Sequence, residues 1–445
     1  MQSKLFRNIT FTSLILVIAL LMAGQVRLIL TNILWGITAV SGLIWAVQSK
    51  VHKKPAVFLL HISFLIILAG ALTTHLWGIQ GAVHMREGET AERFISRDGT
   101  QHVLPFSIKL ESFEAIPYPD TYIPKDFISH VEANGKKADI SMNNILKVGG
   151  YRFYQSGYDH DGMGSTLAVN HDPWGIGITY TGYGLLLLSL FLFFFADGTR
   201  FKTVLHRARG GNGSNGGRIS LVLGIFMGIV ALALTVILGI RWYKGGHVPM
   251  ASGYELMLFI AWLASCLAAI PWKYAGVLRP AGMLVTGFAL VAAMMSGKGQ
   301  EAGPLVPVLS SPLLPIHVGC MIISYTLLAI AAVTGLIGIV RKKSSQKMAD
   351  NALLMVYPGL FLLTAGTFIG AIWANVSWGN YWSWDPKETW ALVTMLVYSF
   401  GIHSGSCNFL RKPAVFNWFC VIAFICVLFT YFGVNYFLGG MHSYA

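Results

Sequence analysis

Residues 378–390 read Trp378-Gly-Asn-Tyr-Trp-Ser-Trp-Asp-Pro-Lys-Glu-Thr-Trp390, thirteen residues holding four tryptophans and a tyrosine between two long apolar runs. Trp and Tyr collect at bilayer surfaces because each ring has an apolar body and a polar edge, so one reading is an anchoring belt. The density exceeds what an anchor needs, and Asp385, Lys387 and Glu388 lie among the rings. Stacking faces beside fixed polar groups are what a site for a flat, partly charged ligand uses, and that reading is favoured.

Outward from this stretch, runs long enough to cross about 30 Å of hydrocarbon fall at 9–25, 28–48, 57–78, 175–196, 219–240, 252–270, 277–296, 315–340, 352–374, 389–405 and 413–437. They predict an all-α polytopic membrane protein of about eleven transmembrane helices, with one small β-rich extracytoplasmic domain. Of the 445 residues, 55% are hydrophobic and 11% charged, against about 25% charged in a soluble domain. The net charge of +13 does not point to nucleic acid, because the basic residues sit in short clusters between apolar runs. Segments around Lys4/Arg7, Lys50–Lys54, Arg200–Arg218, Lys273–Arg279, Arg341–Lys347 and Arg411/Lys412 hold eighteen Lys and Arg; the alternate short loops hold five, Arg27, Arg241, Lys244, Lys298 and Lys387. The positive-inside rule then places the N-terminus in the cytoplasm, and the tryptophan-rich segment and C-terminus on the outer side. The first run follows Lys4 and Arg7 as a signal peptide would. A second run comes almost at once with no clear small-x-small cleavage site, so the first is read as a retained span.

Five segments result: spans 1–3 in 1–78, a soluble segment at 79–174, a fourth span at 175–197, a linker at 198–218 and seven spans in 219–445. Within 79–174, His102–Phe113 alternates apolar and polar, and Phe127–Val131 and Ala138–Met142 flank Asn134-Gly135, a hairpin signal. A strand through Tyr151–Tyr154 is expected to complete a small sheet. A folded spacer and a ligand-binding domain both fit this pattern. Residues 210–217, Gly-Gly-Asn-Gly-Ser-Asn-Gly-Gly, lack the Lys-Ser/Thr ending of a phosphate loop and read as a flexible joint.

Cys266, Cys320, Cys407, Cys420 and Cys426 lie in or beside apolar segments without a Cys-x-x-Cys, so no dithiol redox motif or covalent haem-attachment site is present. Most of the thirteen histidines fall in loops or in the soluble segment and need no special role. Four are placed differently. His61 and His403 sit just inside the cytoplasmic ends of the third and tenth spans, and ionisable groups at such depth are costly. An axial ligand pair for haem iron, a helix–helix hydrogen bond and a proton relay all fit them. His317 opens the eighth span and His442 follows the last, both at the level of the tryptophans, where two imidazoles would flank the stacking surface.

The segment Trp378-Gly-x-x-Trp382-x-Trp384-Asp385-x-Lys387-Glu388-x-Trp390 resembles the tryptophan-rich (WWD) signature of haem-handling proteins of cytochrome c maturation. Residues 219–445 resemble the CcsA (ResC) component of the system II cytochrome c synthase, with Gly253-Tyr254-Glu255, His317 with Ser324-Tyr325, Gly401-Ile-His403 and His442-Ser443-Tyr444 in support. The N-terminal part resembles the partner component CcsB (ResB) through residues 61–71, Gly150-Tyr-Arg-Phe-Tyr-Gln-Ser156 and Val169-Asn-x-Asp172-Pro173. The soluble segment is much smaller than in the long members of that family.

The resemblance implies haem b, as substrate and ligand, at two sites: an inner one with iron ligands His61 and His403, and an outer one with His317 and His442 against Trp378, Trp382, Trp384 and Trp390. It implies a holocytochrome c synthase in the bacterial cytoplasmic membrane, carrying haem outward and joining it to Cys-x-x-Cys-His of apocytochrome c in the periplasm. His317, His442, Trp378, Trp382, Trp384 and Asp385 are the residues expected at the reaction. Extracytoplasmic thiol-reducing proteins and membrane lipid are the further partners expected, with no nucleic acid. A haem exporter or chaperone without synthase activity shares these features; a b-type electron-transfer subunit or a plain membrane anchor is the remaining alternative.

Overall fold

The computed structural model describes residues 2–210, 217–270, 278–296, 305, 307–407 and 409–438. His442 and most of the glycine-rich joint lie outside the described residues. The chain begins with a helical hairpin, α1 (Gln2–Met22) and α2 (Ile29–Gln48), followed by α3 (Pro55–Trp77). Pro55 occupies the first turn of α3, where its missing N–H costs nothing. Eight strands follow: β1 (Ile79–Arg86), β2 (Thr90–Ser96), β3 (Gln101–Pro117), β4 (Pro124–Ala133), β5 (Lys136–Ile140), β6 (Leu146–Val148), β7 (Tyr151–Tyr158) and β8 (Gly164–His171). The chain then returns through α4 (Gly175–Phe195) and α5 (Arg200–Gly210). It continues with α6 (Arg218–Gly245), α7 (Gly253–Ala269), α8 (Leu278–Met295), α9 (Leu313–Val340), α10 (Ser345–Trp378), α11 (Pro386–Ile402) and α12 (Pro413–Leu428), extended by a π-helical stretch, Phe429–Leu438.

Helices lie along the expected spans, and among the described residues nine of them, against about eleven expected, are long and apolar enough to cross a membrane. The other two, α7 and α11, have 17 residues each. This is a mostly helical, multi-pass membrane protein. Within the linker at 198–218, Arg200–Gly210 form α5, with Val204 buried and Arg207 reaching Asp350 at 3.2 Å.

The antiparallel sheet runs β5-β4-β3-β2-β1-β8-β7-β6. It curls toward a barrel, with the Ser129 hydroxyl on β4 bonded to Gln155 (2.6 Å) and Ser165 (2.7 Å) on β7 and β8. Ile108, Leu110, Phe153 and Leu167 fill its core with no exposure. The Asn134-Gly135 hairpin is present with both residues at positive φ (51° and 73°), the primed geometry that matches strand twist.

The two halves share one core. Ile67, Ile176, Tyr183, Leu186 and Phe193 from the N-terminal half pack with Tyr325, Leu328, Tyr357, Phe361 and Phe368 from the C-terminal half. Close packing of α3 on α4 depends on glycine: a Cβ on Gly70 would lie 2.6 Å from the Thr179 backbone nitrogen. Small residues permit such approach where no hydrophobic drive separates helix from lipid.

Candidate functional site

The tryptophan-rich segment is a tight connection between two helices. Helix α10 ends at Trp378, and Gly379 takes the left-handed conformation (φ 76°) that closes a helix C-terminus. Trp384 also has positive φ (60°), uncommon for any residue with a Cβ. Asp385 then caps α11: its carboxylate accepts from the Lys387 N–H at 2.9 Å, while Glu388 Oε2 accepts from the backbone N–H of Asp385 (3.2 Å) and Ser383 (2.9 Å). This capping box commits both carboxylates to shaping the segment. Asp385→Ala is expected to lower stability by about 1 kcal/mol, seen as a lower unfolding midpoint, while Asp385→Asn retains most of it.

The rings do not form one platform. Trp378 packs on Trp373 (4.9 Å), Trp382 and Trp384 are perpendicular (5.8 Å, 88°), and Trp390 lies on Phe429 (4.0 Å). Trp384 and Trp390 pack with Val17, Ile18 and Leu21 of α1. The positive φ at Trp384 breaks the alternation that a flat surface would need, so Trp382 alone of the four lines the adjacent cavity.

That cavity, about 220 Å³, is lined by His317, Met321, Tyr325, Trp373, Trp382, Lys387, Glu388, Tyr431 and Asn435 among others. His317 Nδ1 lies 2.7 Å from the Gly366 carbonyl, which only accepts, so Nδ1 is the donor and the ring is fixed in orientation. The ring stacks on Trp373 at 6.5 Å and 21°. Gly370 makes room for it: an added Cβ would meet the imidazole at 2.6 Å. Gly370→Ala is therefore expected to displace the His317 ring; a ligand held in the cavity through that ring would then bind about tenfold or more weaker, which titration of the purified protein checks.

At the opposite end, which carries the basic clusters, the third helix and the eleventh bring His61 and His403 together. Their ring centroids are 6.2 Å apart with the planes at 88°. His61 Nδ1 is 2.7 Å from Val57 O, and His403 Nδ1 is 2.8 Å from Ser399 O. At both, Nδ1 is the donor to a carbonyl, which leaves Nε2 as the nitrogen that would meet a metal. The ring spacing would leave room for one metal ion held by both rings through bonds of about 2 Å. Among the described residues no group of three or more His, Cys, Asp or Glu is placed to hold a bare metal ion. A two-imidazole set completes a coordination sphere when a macrocycle supplies the equatorial ligands. Trp45 lies 6.3 Å from His403, and Phe11 backs Trp45 at 5.4 Å; nothing in their sequence setting marked them.

Sequence reasoning also missed the joint between the β domain and the tryptophan-rich segment. Asn170 on β8 donates its side-chain N–H to the Gly379 carbonyl, and Tyr381 donates to Thr74 (2.6 Å), which donates to Asp172 (2.6 Å). The one available signal was the Val169-Asn-x-Asp172-Pro173 pattern. Glu255, 2% exposed, pairs with Arg241 at 2.9 Å and holds the start of α7 beside the cavity.

The fold and these sites define a multi-pass membrane protein whose two halves build a histidine pair jointly. Residues 250–442 match the family model described as Cytochrome C assembly protein, and residues 49–170 match that of the ResB-like family. The chain is 36% identical over 265 residues to the cytochrome c biogenesis protein CcsA of Chlamydomonas reinhardtii, covering 52% of this chain and 74% of that protein. It is 30% identical over 315 residues to CcsA of Parasynechococcus marenigrum, covering 60% and 95%. Protein NrfI of Wolinella succinogenes is 35% identical over 232 residues, 49% of this chain and 26% of that protein. The chain belongs to the system II cytochrome c biogenesis family, as a fusion of a CcsB (ResB)-like and a CcsA (ResC)-like part, with a role in cytochrome c biogenesis.

Proposed function

We propose that the protein moves haem b from the cytoplasmic face to the outer face of a bacterial cytoplasmic membrane and joins it covalently to Cys-x-x-Cys-His of apocytochrome c. The observation that carries this is the His61/His403 pair, built from both halves with Nδ1 the donor at each and a spacing that leaves room for one iron between them. His61 and His403 hold the substrate's iron at the inner level. His317, with His442 as the second ligand, holds it at the outer level, where Trp382 and Trp373 offer aromatic faces and Lys387 a cation at the cavity.

In the outer site the protein's work is positioning. The apocytochrome histidine displaces one imidazole, which sets the two thiols beside the two vinyl groups; proximity then lowers the barrier. Each thioether forms by adding S–H across a vinyl C=C, so nothing is lost and no net oxidation occurs. The apocytochrome thiols must arrive reduced, which is the task of extracytoplasmic thiol-reducing partners. Gly379, fixed by Asn170, and the Asp385 cap hold the segment that carries Trp382.

The test is co-expression with an apocytochrome c reporter in cells that lack their own maturation system. Haem that stays on the reporter through denaturing electrophoresis supports the synthase. Haem delivered without covalent attachment would leave an exporter, and haem reduced rapidly by quinol with no reporter maturation would leave an electron-transfer subunit.

A further inference from the structure

Two arginines from distant parts of the chain converge on the turn that follows His403, joined by a third from just beyond that turn. Arg7 on α1 donates to the Ser406 carbonyl at 3.1 Å, Arg200 on α5 to the Ser404 hydroxyl, and Arg411 to the Gly405 carbonyl at 2.8 Å. All three acceptors are neutral, and among the described residues none of the three arginines is in an ion pair. The only acidic residues in the segments read as cytoplasmic are Asp197 and Asp350. Both are already engaged, Asp197 by Lys202 at 2.5 Å and Asp350 by Arg207 at 3.2 Å.

Positive-inside topology accounts for the sign of these charges but not for their convergence. Lys50 and Lys53, on the same side, are exposed and serve topology without gathering. A guanidinium presents five N–H donors in a fork that matches a carboxylate; the bonds to the turn use one or two of them on Arg200 and Arg411, and Arg7 gives one to the turn and two to the Asn8 side chain (3.3 and 3.1 Å), which leaves it two. Three partly committed forks beside one histidine thus leave donors and charge for an anion. Arg7 lies one helical turn before Phe11, whose ring packs on Trp45 and Phe400, and Trp45 in turn lies against His403.

We propose that Arg7, Arg200 and Arg411 form a carboxylate-binding rim of the inner site that takes the two propionates of haem. The proposal rests on the haem reading of His61 and His403. Both propionates leave one edge of the macrocycle, so a rim on the 404–406 turn orients that edge toward the cytoplasm and the vinyl edge away from it. The rim therefore selects for a dianionic tetrapyrrole and sets which edge leads on entry.

The full chain, carrying His317→Ala so that the inner pair is read, is placed in uncharged phosphatidylcholine nanodiscs and titrated with haem and with haem dimethyl ester, followed by Soret absorbance. Haem is expected to bind about tenfold or more tighter than the ester, the order for charge-assisted hydrogen bonds. The triple variant Arg7→Gln/Arg200→Gln/Arg411→Gln should lose that preference through weaker haem binding, with ester binding unchanged as a control for folding. If the triple variant does not bind the ester, the exposed Arg411→Gln alone is read the same way. Equal binding of haem and ester by the parent chain, or a preference that survives the substitutions, overturns the rim. An arginine effect that requires added phosphatidylglycerol and is the same for both tetrapyrroles assigns the arginines to lipid headgroups and also overturns it. The underlying reading is judged separately: it fails if His61→Ala and His403→Ala leave both titrations unchanged.

Discussion

His403→Ala is expected to purify with its inner-site haem lost, and His61→Ala to do the same. On the proposed reading each imidazole would supply one of the two iron ligands, and each is held by its own helix through the carbonyl four residues earlier, Val57 for His61 and Ser399 for His403. Removing an outer-shell partner of a metal-bound histidine typically weakens binding by about tenfold to a hundredfold; removing the ligand itself should exceed that. The readout is the Soret band of the purified protein together with yield of holocytochrome in the co-expression assay. Because alanine leaves a hole the size of the ring, free imidazole in the medium should restore a large part of the band in these two variants. Full haem content and full maturation in both would end the two-site reading.

Gly379→Ala carries the second large effect. The residue has φ 76°, and a Cβ there would lie 2.6 Å from the Tyr154 ring. The left-handed conformation costs a residue with a Cβ about 1–2 kcal/mol, and overpacking adds about 1–3 kcal/mol. Relief requires the turn to move, and with it Trp382 at the cavity wall. Holocytochrome yield should fall steeply while His61/His403 occupancy persists. In a Tyr154→Ala background the penalty should shrink to the backbone share alone, a double-mutant coupling of the kind neighbouring residues show. Wild-type maturation and thermal stability in Gly379→Ala would show that the β domain does not position the segment.

These two cases mark different degrees of legibility. His61, His403 and His317 could be picked out because a titratable ring inside an apolar run violates the local pattern, and such violations are visible one residue at a time. The capping box could also be anticipated from Asp385 and Glu388, three residues apart before an apolar helix. Tyr154, Asn170 and Thr74 could not. Each looks ordinary in its own segment, and each acquires its role from a contact partner roughly two hundred or more positions away. The tryptophan cluster was the instructive miss. Proximity in sequence predicted a common surface, whereas a positive φ at Trp384 sends neighbouring rings to different partners.

By itself the sequence determined the membrane class, the run of apolar helices, the β character of 79–174 and the candidate histidines, since hydropathy, charge bias and turn chemistry are local properties summed along the chain. Tertiary structure decided which residues meet. It joined the two halves through one core, set His61 and His403 6.2 Å apart, gathered three arginines on the turn after His403, and seated the β domain on Gly379. Those contacts depend on helix crossing and close glycine packing, which no single stretch of chain encodes without its partner.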